Sequence, residues 1–136
     1  MRRAKQFKPV GAPSRPEQKR QADRWRGSAS DRGYNHRWSK ASKTHLSNNP
    51  LCIGCRALGR IVPATLVDHV DPHHGDPVKF WDTRMWQSSC KWHHDSVKQR
   101  LEKMYASGTI RLQDLWLNSA VAVRIANAMR CDEVEG

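Results

Sequence analysis

Apolar and polar positions divide the chain into an unpatterned beginning and a patterned remainder. Residues 1–33 contain Pro9, Pro13 and Pro16, many charges and almost no aliphatic side chains. Such a composition cannot bury enough apolar surface to offset the entropy of ordering the backbone. The sequence therefore predicts a largely disordered arm over residues 1–33, with folded structure beginning at Tyr34.

Two elements are predicted in the first half of the patterned region. Trp38, Ser42 and His45 share one side at helical spacing, and the predicted helix ends before Pro50, because a proline disfavours helical backbone at the residue preceding it. Residues 61–70 form a short segment rich in β-branched side chains, which is typical of a strand. Residues 71–82 are dense in Pro, Gly and Asp, which predicts a polar loop; long loops in compact domains are usually functional.

Two helices are predicted in the second half. From Ser88 onward the period becomes helical, with Val97, Leu101 and Met104 on one side and Gly108 placed to end the helix. A second helical pattern covers residues 113–130. Its apolar stripe consists of Leu115, Ala122, Ile125, Ala126 and Met129.

Length and charge limit the class of protein. With 136 residues, of which 38% are hydrophobic, the chain can form one small domain with a modest core. Residues 1–60 hold 15 Lys and Arg against three acids, a net charge of +12, whereas residues 61–136 hold nine against ten, a net of −1. A basic block of this kind is typical of an arm that binds nucleic acid through phosphate contacts. A solubilising tail and contact with an anionic membrane are the alternatives.

The sequence gives no sign of membrane insertion or secretion. It contains no apolar run of the roughly 18 residues that span a bilayer, and its N-terminus lacks the apolar segment of a signal peptide. We therefore expect a cytoplasmic protein without a membrane partner. In that compartment, cysteines are more often metal ligands or redox groups than disulfides.

Two short motifs have the spacing of a zinc site. Cys52 and Cys55 form one C-x-x-C knuckle, and Cys90 and His93 form a C-x-x-H pair. Two such pairs supply the four ligands of a tetrahedral zinc ion, and a bound zinc would contribute folding energy to a small core. The alternative is that the cysteines are simply small buried apolar residues.

A second cluster suggests metal-assisted hydrolysis. Asp68 and His69 end the predicted strand, His73 follows in the loop, and His94 lies on the next helix. A carboxylate can bind a hard divalent cation while a neighbouring imidazole accepts a proton from water. Because His93 and His94 would point about 100° apart on a helix, they fit two separate metals. Surface strand residues without chemistry are the alternative for Asp68 and His69.

In this order, the residues resemble the phage and prophage branch of the HNH endonucleases. The resemblance covers about residues 32–107 and is specific as an ordered constellation. It rests on Arg32-Gly33-Tyr34, Pro50-Leu51-Cys52-Ile53-Gly54-Cys55, Val67-Asp68-His69-Val70-Asp71-Pro72-His73-His74-Gly75-Asp76, Phe80-Trp81-Asp82, Trp86-Gln87, Cys90 and His94.

The resemblance implies an α+β fold built on a small ββα-metal finger with a structural zinc. The nuclease domain would span residues 34–107, with the basic arm before it and a helical extension at residues 108–136. His69 matches the general base, and Asp68 and His94 match the ligands of a catalytic divalent cation such as Mg²⁺, Mn²⁺ or Ni²⁺. Cys52, Cys55 and Cys90 match zinc ligands, with His93 in place of the usual fourth cysteine.

The resemblance also implies partners and a context. The substrate would be DNA, whose phosphodiester bonds the enzyme hydrolyses. The family context is terminase-dependent packaging of a phage genome in the cytoplasm of a bacterial host, with terminase subunits as possible partners. The residues expected at the nucleic acid are Arg32, Arg37, Lys40 and His73, with Lys98 and Arg100 as weaker candidates on the helix.

Met85 is the main departure from the family pattern. It occupies the position of the asparagine that orients the catalytic histidine, and a thioether cannot donate a hydrogen bond. Gln87 or a backbone carbonyl could replace that brace. We expect reduced but measurable cleavage that Met85→Asn raises. A catalytically weakened DNA-binding zinc module and a packaging adaptor remain the competing functions.

Three tryptophans surround the motif. We expect Trp81, Trp86 and Trp92 to belong to the small core rather than to form a platform for stacking nucleic-acid bases.

Overall fold

The protein is a small α+β chain. The computed structural model describes residues 15–18 and 35–135, with side chains as far as Arg130. The elements, in chain order, are α1 (His36–Asn48), α2 (Ile53–Ala57), β1 (Leu66–His69), α3 (Pro77–Phe80), a 3₁₀ turn (Thr83–Met85), β2 (Trp86–Ser89), a π-helical segment (His93–Lys98), α4 (Gln99–Ala106), a second 3₁₀ turn (Leu112–Leu115) and α5 (Ala120–Glu135).

The predicted arm lies mostly outside the described residues. Residues 15–18 are described and form one helical turn. The first predicted helix is confirmed as α1. It begins because the Asn35 side chain accepts a hydrogen bond from the Trp38 N–H at 3.1 Å, and it ends before Pro50, as predicted.

The sheet is smaller than the sequence suggested. β1 and β2 pair antiparallel, with Asp68 opposite Gln87 and His69 opposite Trp86. The predicted range of residues 61–70 is longer than the observed strand. Its first part does not join the sheet; instead Pro63 makes an isolated bridge to Leu51. Proline has no N–H to donate and therefore interrupts a ladder.

The helix expected from Ser88 begins later. Ser88 and Ser89 belong to β2, whose four residues are all buried by pairing and packing. Helical structure starts at position 91 and runs through the π-helical segment into α4. The end at Gly108 is confirmed: its φ is 76°, its N–H donates to the Tyr105 carbonyl, and the Thr109 N–H donates to the Met104 carbonyl.

Two other boundaries also differ from the prediction. The polar loop at residues 71–82 contains the single turn α3, capped by Asp76, whose carboxylate accepts from the Val78 N–H. The last helix starts at Ala120 rather than near Gln113. Ser119 ends the preceding irregular stretch and caps α5, since its hydroxyl accepts from the Ala122 N–H at 3.0 Å.

The apolar core joins the middle of the chain to its C-terminal part. Its buried members are Val70, Val97, Leu101, Leu115, Leu117, Ala122 and Ala126. The apolar stripe predicted for the last helix packs here, since Ile125 and Met129 cover this core as well. Cys52, Cys55 and Cys90 form a second buried cluster. None of the helices in the described ranges is both long and apolar enough to cross a bilayer.

Candidate metal centre and catalytic cleft

The predicted Cys₃His group is assembled in the structure. The ligand atoms of Cys52, Cys55, Cys90 and His93 all lie within 4.8 Å of one another, so the four residues could hold one metal ion. Cys55 Sγ lies 3.7 Å from Cys90 Sγ, and His93 Nδ1 lies 3.3 to 3.6 Å from the three sulfurs.

These separations match tetrahedral coordination of zinc. With Zn–S near 2.3 Å and Zn–N near 2.0 Å, tetrahedral angles require about 3.8 Å between two sulfurs and about 3.5 Å between sulfur and nitrogen. The separations between the Cys₃His ligand atoms agree with both values. The group is therefore consistent with a structural zinc, and it connects the start of α2 to the start of the π-helical segment.

Local structure explains how the ligands reach each other. Cys52 caps α2, and its sulfur accepts from the Cys55 N–H at 3.4 Å. Cys90 follows β2 directly. Gly54 leaves room for the His93 ring, since a Cβ at position 54 would overlap the imidazole. The knuckle therefore requires glycine for close approach.

Burial makes the cysteine cluster unfavourable for thiolates without a cation. Burial raises the pKa of Cys55 and that of Cys90 above the usual value for a thiol. Burial also acts to raise the pKa of Cys52, but the hydrogen bonds from His93 and from the backbone N–H of Cys55 outweigh it and bring this pKa to about 6. A soft cation at this position would stabilise the thiolate form of all three cysteines.

Asp68 and His94 come together on the other side of the π-helical segment. Asp68 Oδ1 lies 3.7 Å from His94 Nε2, and Asp68 Oδ2 accepts from Gln87 Nε2 at 2.7 Å and from Lys98 Nζ at 3.1 Å. Burial raises the pKa of Asp68, while the Lys98 ammonium and the Gln87 amide act to lower it. His94 Nδ1 contacts Asp95 Oδ1 at 3.0 Å, which leaves Nε2 directed at Asp68.

This pair is close to the separation that a shared divalent cation requires. Two ligand atoms about 2.1 Å from an octahedral cation lie about 3.0 Å apart when adjacent and about 4.2 Å apart when opposite. The 3.7 Å separation of Asp68 Oδ1 and His94 Nε2 lies between these values, so a side-chain shift of about 0.5 Å would bring the pair to either one. The sequence prediction that His93 and His94 serve different sites agrees with this geometry, because His93 faces the cysteines and His94 faces Asp68.

His69 is held in one orientation by its surroundings. Its Nε2 lies 3.0 Å from the Phe80 carbonyl, which also accepts from Trp86 Nε1 at 2.9 Å. Because a carbonyl can only accept, Nε2 carries the proton and Nδ1 keeps its lone pair. The ring stacks on Trp38, with centroids 4.8 Å apart and an interplanar angle of 24°. Burial, followed by the neighbouring His73, lowers the pKa of His69 to about 4.

His69, Asp68 and His94 line one cleft. Its volume is about 730 Å³, and its walls come from α1, β1, the loop after β1, and the helical stretch that carries His94 and Glu102. From α1 it receives Trp38, Ser42 and Lys43. An imidazole and a candidate cation site therefore line the same open volume, a combination that can support metal-assisted hydrolysis.

The residues predicted to contact nucleic acid are distributed unevenly. His73 lines the cleft and packs edge-on against His69, with centroids 4.8 Å apart. Arg37 is exposed outside this cleft, with its guanidinium 3.9 Å from the centre of the Trp81 ring. Lys40 is exposed and does not line the cleft. Arg32 lies outside the described residues.

Three side chains show how the structure compares with the sequence expectations. Lys98 is buried rather than available to phosphate, because it pairs with Asp68 and Glu102. Trp92 packs against the apolar core and the cysteine cluster, as expected, and its ring lies near His93 and Arg130. Lys43, which the sequence did not single out, contributes the one Lys or Arg among the described residues that line the cleft.

The structure supplies a brace for His69 that does not depend on Met85. The Phe80 carbonyl binds the imidazole, whereas the Met85 side chain packs against the apolar core. Of the two replacements considered from sequence, the backbone carbonyl fills this position. Gln87 instead binds Asp68 and the backbone of the segment after α4, at Leu115 and Leu117.

Comparison of the chain with protein-family models, with curated proteins and with solved structures found no match.

Proposed function

We propose that this protein is a metal-dependent endonuclease of the HNH type that hydrolyses DNA phosphodiester bonds. The observation that carries the proposal is the cleft in which a histidine with a free Nδ1 and an Asp–His pair with converging ligand atoms face the same volume. The ββα-metal finger implied by the family resemblance would correspond to β1, β2 and the helical stretch after them.

In the proposed reaction His69 is the general base. Its Nδ1 accepts a proton from the attacking water, and the Phe80 carbonyl keeps the ring from turning while it does so. Asp68 and His94 would hold the divalent cation. A cation bound there would stabilise the negative charge that develops on the phosphate and on the leaving 3′ oxygen. Trp38 restricts the His69 ring from the opposite wall.

The Cys₃His group is proposed to hold zinc with a structural role. Three sulfurs and one imidazole are the ligands that favour zinc over hard cations. Protein side chains would fill all four coordination positions of the zinc, so this site has no open position for substrate. Its contribution to function is to fix the start of the helix that carries His94.

The chain's charge and the family context suggest the partner and the setting. Residues 1–60 carry the excess positive charge, which would increase affinity for DNA through phosphate contacts. The resemblance to phage and prophage enzymes favours a role beside terminase in genome packaging, within the cytoplasm of a bacterial host. These assignments are part of the proposal.

A second candidate function is a zinc-containing DNA-binding module or packaging adaptor with weakened catalysis. One observation favours it: the Lys98 ammonium already lies 3.1 Å from Asp68 Oδ2 and opposes the binding of another cation there.

A plasmid-nicking assay separates the two functions. Zinc-loaded protein would be incubated with supercoiled DNA and Mg²⁺, Mn²⁺ or Ni²⁺, beside His69→Ala and the control His36→Ala, which replaces an exposed histidine at the start of α1. We expect His69→Ala to lower the cleavage rate by about 10² or more, and His36→Ala to leave it unchanged.

Two outcomes would count against the proposal. Cation-dependent cleavage that persists unchanged in His69→Ala contradicts the role of His69. DNA binding without cleavage under any of the three cations supports the binding module or adaptor instead.

A further inference from the structure

Lys98 is a buried charge that the proposed reaction does not use. Its exposed fraction is 0%, and its ammonium has three partners. Nζ donates to the His69 carbonyl at 2.8 Å and to Glu102 Oε1 at 2.9 Å, and it lies 3.1 Å from Asp68 Oδ2. An ammonium has three protons, so its capacity to donate is filled at the centre of the site.

The π-helical segment places Lys98 there. His94 and Lys98 are four residues apart within His93–Lys98, and both side chains reach the Asp68 carboxylate. Residues four apart lie on one side of a helix, and single π-helical turns often occur at functional sites. Lys98 and His94 therefore approach Asp68 together, each at a different oxygen.

The two oxygens of Asp68 are consequently unequal. Oδ2 receives the Gln87 amide at 2.7 Å and the Lys98 ammonium at 3.1 Å, which uses the two acceptor positions of a carboxylate oxygen. Oδ1 faces His94 Nε2. A cation held between Asp68 and His94 can therefore bind one carboxylate oxygen and not both.

We propose that Lys98 determines which divalent cation this cleft accepts. By occupying Oδ2 it restricts Asp68 to coordination through one oxygen, which suits the small octahedral ions Mg²⁺ and Mn²⁺. Ca²⁺ takes six to eight oxygen ligands and often uses both oxygens of a carboxylate, so it is disfavoured. This inference rests on the proposed cation site of the nuclease.

A purely electrostatic role for Lys98 predicts a different result. Repulsion by the ammonium weakens the binding of every divalent cation by a similar amount, because all of them carry the same charge. Coordination through one oxygen instead changes the ratio of affinities for a large and a small cation. The ratio of Ca²⁺ to Mn²⁺ affinity therefore separates the two explanations.

The test is calorimetric titration of zinc-loaded protein with Mn²⁺, Mg²⁺ and Ca²⁺, without DNA. Lys98→Met keeps most of the packed stem and removes the ammonium; Lys98→Ala also opens the space it filled, and serves as the second variant if the first does not fold. Lys98→Arg keeps a cationic donor. Lys103→Met is the matched control, since it makes the same substitution at an exposed lysine of α4 that does not line the cleft. Zinc content and a cooperative melt establish that each variant is folded.

We expect the Ca²⁺ to Mn²⁺ affinity ratio to rise by about tenfold or more in Lys98→Met or Lys98→Ala, and to stay within about twofold of the starting protein in Lys98→Arg and Lys103→Met. An unchanged ratio in folded Lys98→Met and Lys98→Ala would overturn the inference while leaving the nuclease proposal intact. A zinc-loaded starting protein that binds none of the three cations would overturn both. Cation binding with the expected ratio change but without DNA cleavage would support the inference and count against the nuclease alone.

Discussion

His69 shows how burial changes the chemistry of a single side chain. Because burial disfavours the charged imidazolium, the pKa of His69 falls from 6.5 to about 4. An unfolded chain would bind this proton near pH 6.5. His69 should therefore lower the free energy of unfolding as the pH falls from about 6.5 to about 4, and the folded-state imidazole should stay mostly neutral down to about pH 5.

NMR titration of the imidazole resonances measures this directly, with His69→Ala identifying the signal. We expect a midpoint near pH 4 for His69 in the zinc-loaded protein. A midpoint near 6.5 would show that the ring is more exposed to water than its contacts with Trp38 and Phe80 indicate.

Lys43 and Lys40 provide a matched pair on one helix. Both are exposed on α1, but only Lys43 lines the cleft that contains His69. Because a phosphate beside the reacting bond must lie in that cleft, Lys43→Ala should weaken DNA binding and reduce the slope of log affinity against log salt by about one. Lys40→Ala should have a smaller effect.

The affinities would be measured over a range of salt concentrations in a His69→Ala background, so that cleavage does not interfere. Equal slopes for Lys43→Ala and the parent protein, or a larger change for Lys40→Ala, would show that DNA approaches from another side.

Side chains differed in how well the sequence predicted them. The possible metal site was predictable from the spacing of Cys52, Cys55, Cys90 and His93, because each short C-x-x-C or C-x-x-H motif places two ligand atoms close together. Lys98 was not predictable as a buried residue, since a lysine is almost always exposed unless paired. Its partner Asp68 lies 30 positions earlier, and only the tertiary fold brings the two together.

At the scale of elements, helix boundaries with local signals were predicted best. α1 depends on the Asn35 cap and the Pro50 break, and α4 ends at Gly108, all of which are visible in the sequence. β2 was missed because its four residues are all buried, so they show no alternation of polar and apolar positions. The π-helical turn has no local sequence signal that the periodicity could detect.

The knuckle at α2 gives a prediction about one element. A Cβ at Gly54 would overlap the His93 imidazole, so Gly54→Ala should displace a ligand and lower zinc affinity by about tenfold or more. Gly59→Ala, at the glycine that follows α2, is the matched control. Gly59 has a φ of 76° and open space around it, so its replacement should cost about 1 kcal/mol of stability from backbone strain while zinc binding is retained.

Zinc content and competition with a chromophoric chelator would be measured for both variants. Equal zinc affinities in Gly54→Ala and Gly59→Ala would mean that the knuckle adapts by moving α2, and that the contact with His93 is not essential.

Two separate buried clusters hold the whole molecule together: the apolar core and the Cys₃His group. The sheet has two strands of four residues, which is marginal by itself, and the apolar core has seven buried members. The Cys₃His group lies outside that core and connects α2 to the π-helical segment. The segment also carries His94 and Lys98, so both candidate centres depend on the position of one helical stretch.

Removal of zinc should therefore affect folding and the cleft together. Binding at about 1,000 times the dissociation constant stabilises a folded state by about 4 kcal/mol. For a domain of this size, that corresponds to a decrease in melting temperature of about 10 °C or more on chelation.

We also expect DNA cleavage to be lost, because without the metal the helix start at His93 is no longer fixed and His94 loses its alignment with Asp68. Zn²⁺ should restore both properties and excess Mg²⁺ neither, since thiolates bind hard cations weakly. Calorimetry and nicking assays on the chelated and zinc-restored protein check this. A chelated protein with an unchanged melting temperature would show that the apolar core alone maintains the fold, and unchanged cleavage would show that the His94 site does not depend on zinc.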